Sequence, residues 1–100
     1  MKLKQLGESL CVCSDEFGLD AIDLLILYTV IKTKAEVGEV TIMNFINSFE
    51  YTSAATAHAK IKKLCNKQLL IKVGNNENLR LKCLEKGDKY DEFIKRLAEV

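Results

Sequence analysis

The residues with the clearest chemical promise lie in the stretch TSAATAHAKIKK, which begins at Thr52. Ala57, Ile61 and Leu64 recur at helical spacing and predict one apolar stripe. The opposite face begins with small side chains, including Ala59, and then becomes rich in lysine. Small side chains let a helix backbone approach a groove closely, and ammonium groups neutralise phosphates. This face is therefore a candidate surface for duplex DNA.

Each candidate contact has its own chemical role. Ser53 is a good N-cap, and the free N–H groups of the following helical turn suit a phosphate. Thr56 offers a methyl group and a hydroxyl to a base edge or phosphate, and His58 offers a donor and an acceptor. Lysines behind this front suit backbone phosphates. We predict that the DNA-binding residues are Thr52, Ser53, Ala55, Thr56, His58, Ala59, Lys60, Lys62, Lys63, Asn75, Asn76 and Arg80.

Plainer explanations exist for each of these features. The alanines fit simple helix propensity, His58 fits an ordinary surface histidine, and lysine-rich helix backs often serve only solubility. The front half of the helix also has no arginine, asparagine or glutamine for bidentate base readout. Sequence specificity would then be weak, based on DNA shape, or shared with a partner. The combination of cap, small front, lysines and following hairpin favours DNA binding.

Periodicity and capping residues predict the helices that position this surface. A first helix covers about residues 2–13, with a break around Gly18. Asp20 is a good N-cap for a second helix, AIDLLILYTVIKTKA. Apolar residues occur around most of its circumference, which predicts that this helix is central in the fold. Val40 suggests a very short strand, and Thr41 caps a third helix. A tight turn follows, and a fourth helix then runs from residue 54 to about residue 67.

The last third of the sequence predicts a hairpin and a closing helix. LLIKV and LRLKCL alternate as strands do, and the link GNNEN is rich in residues that tolerate positive φ. The residues placed on one face of each strand are Leu69, Ile71 and Val73, then Leu79, Leu81 and Cys83. Tyr90, Phe93, Ile94 and Leu97 recur at i, i+3, i+4 and i+7, which indicates a helix over about residues 85–99.

Composition indicates one globular domain over residues 1–100. Of the 100 residues, 48% are apolar and 29% are charged, enough for one hydrophobic core. The net charge of +1 conceals a segregation, because residues 51–82 carry seven basic and one acidic side chain while residues 1–50 carry four and eight. Such a basic segment attracts polyanions. The alternative is that this charge run is only a solvated face.

Several classes of protein are not expected. No apolar run approaches the ~20 residues that span a bilayer, and we read no signal peptide, so we expect a cytoplasmic protein. With one histidine, no glycine-rich phosphate loop and no recognisable carboxylate pair, the chain is not expected to be an enzyme or to hold a metal or cofactor. The four cysteines are expected to be reduced, and Cys11 and Cys13 leave a redox sensor as an open alternative.

The order of helix, turn, helix and two-stranded hairpin is that of a winged helix. From Thr41 to Leu97 the sequence resembles the winged-helix core of MarR-type transcriptional regulators. TIMNFINSF matches the helix before the turn, TSAATAHAKIKKLCNKQLLI the recognition helix and first wing strand, and LRLKCLEKGDKYDEFIKRL the second wing strand and last helix. The segment LEKGDKY is similar to the family's Leu-Thr-Glu-Lys-Gly. The resemblance implies a mainly α fold with a small β-hairpin wing.

Three features depart from that family's pattern. Leu84 stands where the family usually has a threonine or serine that caps the last helix. Glu77 lies in a wing tip that is commonly basic. Family members are also typically longer, with terminal helices that dimerise and shape a ligand pocket, so a small-molecule effector is doubtful here.

The sequence therefore predicts a small transcriptional regulator that binds double-stranded DNA. The helix-turn-helix covers about residues 41–67 and the wing about residues 69–84, and residues 54–67 enter the major groove. The terminal helices are expected to form a homodimer, and no membrane partner is expected. The alternative is a winged-helix module that binds another protein of the transcription or replication machinery without reading DNA.

Overall fold

The computed structural model describes residues 3–74 and 82–99. Over these residues the elements are helices α1 (Leu3–Phe17), α2 (Ala21–Val37), α3 (Ile42–Ser48) and α4 (Ala54–Asn66), strands β1 (Leu70–Gly74) and β2 (Lys82–Lys86), and helix α5 (Tyr90–Ala98). The two strands pair antiparallel. This is the mainly helical, winged helix-turn-helix architecture that the sequence predicts.

Side-chain caps start three of the helices at the predicted residues. The Asp20 carboxylate accepts the Asp23 backbone N–H at 2.8 Å, and the Asp23 carboxylate accepts the Asp20 N–H at 3.0 Å. This reciprocal capping box satisfies two N–H groups at the start of α2. Thr41 and Ser53 cap α3 and α4 through their hydroxyl oxygens.

Helix α1 continues four residues beyond the predicted end, to Phe17. It stops at Gly18, whose φ of 65° is the left-handed conformation that ends many helices. Acidic side chains of the segment SDEF lie on the exposed face, so they do not break the helix. One of them, Glu16, accepts two hydrogen bonds from Arg96 of α5, at 2.8 and 2.6 Å. Phe17 packs edge-on against Phe93, with 4.9 Å between ring centroids.

The hydrophobic core surrounds α2, as the apolar residues around the circumference of this helix predict. Side chains from α2, α3, α4, the hairpin and α5 meet there and are almost fully buried: Ile26, Val30, Phe45, Ile61, Leu64, Leu70, Leu84 and Phe93. Asp23 is the exception, because this carboxylate is also fully buried. The sequence analysis did not anticipate a buried charge in this helix.

The first wing strand does not include Leu69, which was predicted to share a face with Ile71 and Val73. Leu69 and Leu70 are both buried, whereas Ile71 is 37% exposed. Leu69 precedes the strand and follows Gln68, which has φ of 63° and turns the chain out of α4. The strand therefore starts at Leu70, one residue later than predicted, and within it only Leu70 is fully buried. On the second strand Cys83 is buried, and Leu79 and Leu81, predicted to share its face, lie outside the described residues.

The last helix also begins later than predicted, at Tyr90. Residues 85 and 86 belong to β2, so Leu84 is a buried strand residue rather than a helix cap. The turn that follows contains Gly87, where an added Cβ would lie 2.1 Å from the carbonyl oxygen of Gln68. Only glycine fits this close approach of two backbone segments.

Strand β2 is also tied to the start of the helix-turn-helix. The Leu84 N–H donates to the Val40 carbonyl at 2.8 Å, and Thr41 forms an isolated antiparallel bridge with Cys83. The very short strand predicted at Val40 is thus a single bridge, centred one residue later.

Candidate nucleic-acid interface

Helix α4 divides into a buried stripe and an exposed face, as predicted. Ala57, Ile61 and Leu64 are at most 1% exposed and face α2 and the hairpin. Ala55, Ala59 and Lys62 follow one another at i, i+4 and i+7, so they lie on one side of the helix. All three are exposed. These three residues, which we name the groove-facing stripe after their predicted role, present two methyl groups followed by one ammonium group.

The front of α4 is a capped and uncharged helix end. The Ser53 hydroxyl oxygen accepts the Thr56 N–H at 3.2 Å, and the Ser53 hydroxyl donates to the Thr56 hydroxyl oxygen at 3.0 Å. No acidic side chain occupies the first turn. Thr52 is half-buried, whereas Ser53, Thr56 and His58 are exposed. The positive end of the helix dipole is therefore open toward solvent, with small polar groups around it.

Two of the three predicted phosphate-binding lysines have partners inside the molecule. The Lys60 ammonium lies 2.6 Å from Asp20 Oδ2 and 3.6 Å from Asp23 Oδ1. The Lys63 ammonium lies 2.6 Å from Asp23 Oδ2. The hydrogen bond from Lys60 lowers the pKa of Asp20 to about 2, and the same bond raises the pKa of Lys60. A DNA-binding role for Lys60 and Lys63 stays a prediction, and the structure gives both a different partner.

The phase of α4 explains this division of the lysines. Lys60 follows the buried Ala57 by three residues and Lys63 precedes the buried Leu64 by one, so both lie on the flank toward α2. Lys62 lies on the opposite side, with the small residues. Each lysine is 40 positions from the aspartate that it contacts. A local sequence pattern cannot predict a contact over that separation. The available signal was Asp23, an acidic residue within the apolar first half of α2.

The wing adds basic side chains that the sequence analysis did not include among the site residues. Lys72 and Lys82 are exposed, one on each strand, next to the hairpin tip. Both belong to the basic segment 51–82, and this charge could have indicated them as candidate phosphate contacts. The predicted contacts Asn75, Asn76 and Arg80 lie outside the described residues, as does Glu77.

The cysteines and acidic residues form no second site in the described part of the chain. No disulfide joins the four cysteines, all of which lie within the described residues, and burial raises the pKa of Cys13. Cys11 is exposed. Among residues 3–74 and 82–99, no cluster of histidine, cysteine or acidic side chains is arranged to hold a metal ion. No helix within those ranges has the length and apolarity needed to cross a membrane.

No protein-family model and no curated protein matches the sequence. Solved structures do share its fold. BldR, a transcriptional regulator of Sulfolobus solfataricus, has a TM-score of 0.65 at 18% identity, over 97% of this chain and 66% of that one. A transcriptional regulator of Thermotoga maritima has a TM-score of 0.66 at 16% identity, over 91% and 61%. A structure described as a MarR-like transcription regulator, from Bacillus cereus, has a TM-score of 0.64 at 12% identity, over 92% of this chain and 63% of that one.

These similarities confirm the predicted resemblance to MarR-type regulators at the level of fold. The chain has the winged helix-turn-helix fold, and its structural neighbours are transcriptional regulators. It spans less than two thirds of the length of each of the three.

Proposed function

We propose that this protein is a transcriptional regulator that binds duplex DNA with α4 in the major groove. The observation that carries the proposal is the groove-facing stripe. Its two exposed alanines allow the helix backbone to lie close to base edges, and Lys62 extends from the same side toward a backbone phosphate. Helix-turn-helix proteins place the second helix of the motif in this way.

Two neighbouring features support this orientation. The first turn of α4 carries no carboxylate, and the positive end of its helix dipole suits a phosphate at the edge of the groove. Lys72 and Lys82 on the wing strands are placed to meet a second stretch of backbone. Because readout would rest on methyl contacts, one hydroxyl and DNA shape, we expect modest sequence specificity.

Fluorescence anisotropy with a labelled random duplex, over a series of salt concentrations, tests the proposal. Phosphate neutralisation releases counter-ions, so the logarithm of the binding constant should fall linearly with the logarithm of salt concentration. Absence of binding to duplex at low salt would remove the proposed function.

Lys62→Ala should make the salt dependence shallower by about 0.9 in log–log slope, the amount expected for one lost phosphate contact. The affinity loss should be similar on unrelated duplexes, because a phosphate contact carries no sequence information. Lys95→Ala is the matched control, since it removes an exposed lysine from α5. Equal slopes for the parent and Lys62→Ala would show that Lys62 only solvates the surface.

A protein-binding module is the second candidate function. The ion pairs of Lys60 and Lys63 favour it, because they neutralise two of the three α4 lysines that were predicted to contact phosphate. Met43 of α3 and Tyr51 of the turn that follows it are 60% and 67% exposed, and both are side-chain types common in protein interfaces. Under this alternative the anisotropy experiment gives no salt-sensitive binding.

We further propose that the terminal helices form a twofold dimer. Helices α1 and α5 pack together through Phe17 and Phe93, yet they leave apolar side chains outside. Leu3 is 83% exposed and Leu10 is 43% exposed, at i and i+7 on α1, and Ile94 of α5 is 42% exposed. A second copy could cover these side chains, and a twofold pair would match a palindromic DNA site.

Sedimentation equilibrium at tens of micromolar protein should show a species of twice the 11.3 kDa chain mass. Leu10→Glu should shift this equilibrium toward the monomer by placing a charge in the interface. Val37→Glu is the control, because Val37 is an exposed apolar residue of α2, outside the terminal pair. A single 11.3 kDa species for the parent chain would remove the dimer.

A further inference from the structure

The flank of α4 that faces α2 is electrically balanced by two carboxylates. Asp23 is fully buried beneath the helix, and its Oδ2 contacts the Lys63 ammonium at 2.6 Å. Its Oδ1 accepts no hydrogen bond from the described residues, and the Lys60 ammonium is 3.6 Å away. Asp20 completes the group at the surface, 2.6 Å from Lys60. We call these four residues the carboxylate–lysine cluster.

Within this cluster the charges cancel, since two carboxylates face two ammonium groups. A buried carboxylate gives up its cationic partner only at a large desolvation cost, because the unpaired charge would remain in a low-dielectric interior. A phosphate that approaches this flank also meets the Asp20 carboxylate, which is 56% exposed. Both effects oppose transfer of Lys60 and Lys63 from the protein to DNA.

We infer that Asp20 and Asp23 hold Lys60 and Lys63 as internal counter-ions, which withholds this flank of α4 from the phosphate backbone and restrains non-specific DNA binding. The inference rests on the proposed DNA-binding function. The two aspartates act as positioning residues: they fix the side of α4 from which phosphates are neutralised, and they do so without touching DNA. The groove-facing stripe then supplies the phosphate contact of the helix through Lys62.

Removal of one carboxylate charge should release a lysine to the phosphates. Asn at position 20 remains a good N-cap, so Asp20→Asn keeps the start of α2 while removing the exposed partner of Lys60. Asp23→Asn keeps an oxygen that can accept the Asp20 N–H. A freed ammonium group adds one phosphate contact, and the log–log salt slope should become steeper by about 0.9 in each variant.

The experiment measures salt-dependent anisotropy on random duplex for the parent, Asp20→Asn and Asp23→Asn, with unfolding by urea as a check of folding. Glu36→Gln is the matched control, because it makes the same change in net charge at the other end of α2, where Glu36 is exposed. We expect steeper slopes and tighter binding at low salt for both aspartate variants, and an unchanged slope for Glu36→Gln. Lys63→Ala added to Asp23→Asn should abolish the gain.

A merely structural role for the cluster predicts the opposite result. Loosening α4 would weaken binding and would leave the slope unchanged or shallower. If folded Asp20→Asn shows that behaviour, the inference is wrong even should Asp23→Asn fail to fold. A slope that steepens equally in Glu36→Gln also overturns the inference, because it reports net charge alone. Failure of the parent itself to bind duplex is a different outcome, which overturns the proposed function together with the inference.

Discussion

Gly87→Ala is expected to destabilise the fold by roughly 3 kcal/mol, at the upper end of the range for forcing atoms into a packed interior. The added Cβ would lie 2.1 Å from the Gln68 carbonyl oxygen and 2.9 Å from the Leu69 carbonyl carbon. Neither group can move easily. The Gln68 carbonyl accepts the Lys89 N–H at 2.9 Å, and the Leu69 carbonyl accepts the Gly87 N–H at 3.0 Å. Urea unfolding followed by circular dichroism measures the loss.

Gly7→Ala is the matched control for this substitution. Gly7 lies inside α1, and a Cβ there meets nothing within 4 Å. Alanine is favoured over glycine within a helix by about 0.5–1 kcal/mol, so this variant should be neutral or more stable than the parent. Comparable stability for Gly87→Ala and Gly7→Ala would show that the turn after β2 relaxes, and that the close approach does not hold the wing in place.

Ala55→Leu and Ala59→Leu are expected to weaken DNA binding by on the order of 1–3 kcal/mol each, the scale of a lost base contact. Both alanines are exposed and lie opposite the buried stripe. A leucine there would hold the α4 backbone away from the groove floor. Stability should change by no more than about 0.5 kcal/mol, because the sites are exposed and leucine is a good helix former. Anisotropy and urea unfolding on the same variants separate binding from folding.

Ala35→Leu provides the comparison for a leucine outside the groove-facing stripe. Ala35 is exposed on α2, twelve residues or about 18 Å along the helix from Asp23. Its binding should match that of the parent. Should Ala55→Leu and Ala59→Leu also bind duplex as tightly as the parent, α4 would not be a reading surface. The protein-binding module would then be the better description of the molecule.

Most of the fold could be predicted from the sequence, because it depends on interactions between residues close together in the chain. Capping by Asp20, Thr41 and Ser53 depends on side chains within three residues of the groups they bond, so the sequence alone could place those helix starts. The exposed face of α4 likewise follows from helical phase. The positions of Ala55, Ala59 and Lys62 could therefore be predicted without knowing what α4 packs against.

The parts that could not be predicted depend on contacts between distant segments. Alternation in LLIKV does not reveal that Gln68 turns the chain and starts the strand one residue later. The need for glycine at position 87 arises only when two turns meet. Helical phase places Lys60 and Lys63 on a different flank from Lys62, but only the approach of α2 shows that carboxylates pair with them. Residue type predicted the candidate surface, and tertiary packing determined which of its charges stay available.

The hydrogen bond from Leu84 to Val40 joins strand β2 of the wing to the residue that precedes the Thr41 cap of α3. The bridge between Thr41 and Cys83 adds a second connection beside it. The wing strand and the start of the helix-turn-helix are therefore anchored to each other at this point. We expect the two parts of the candidate interface to keep a fixed spacing, so that a ligand contacting both must match that spacing.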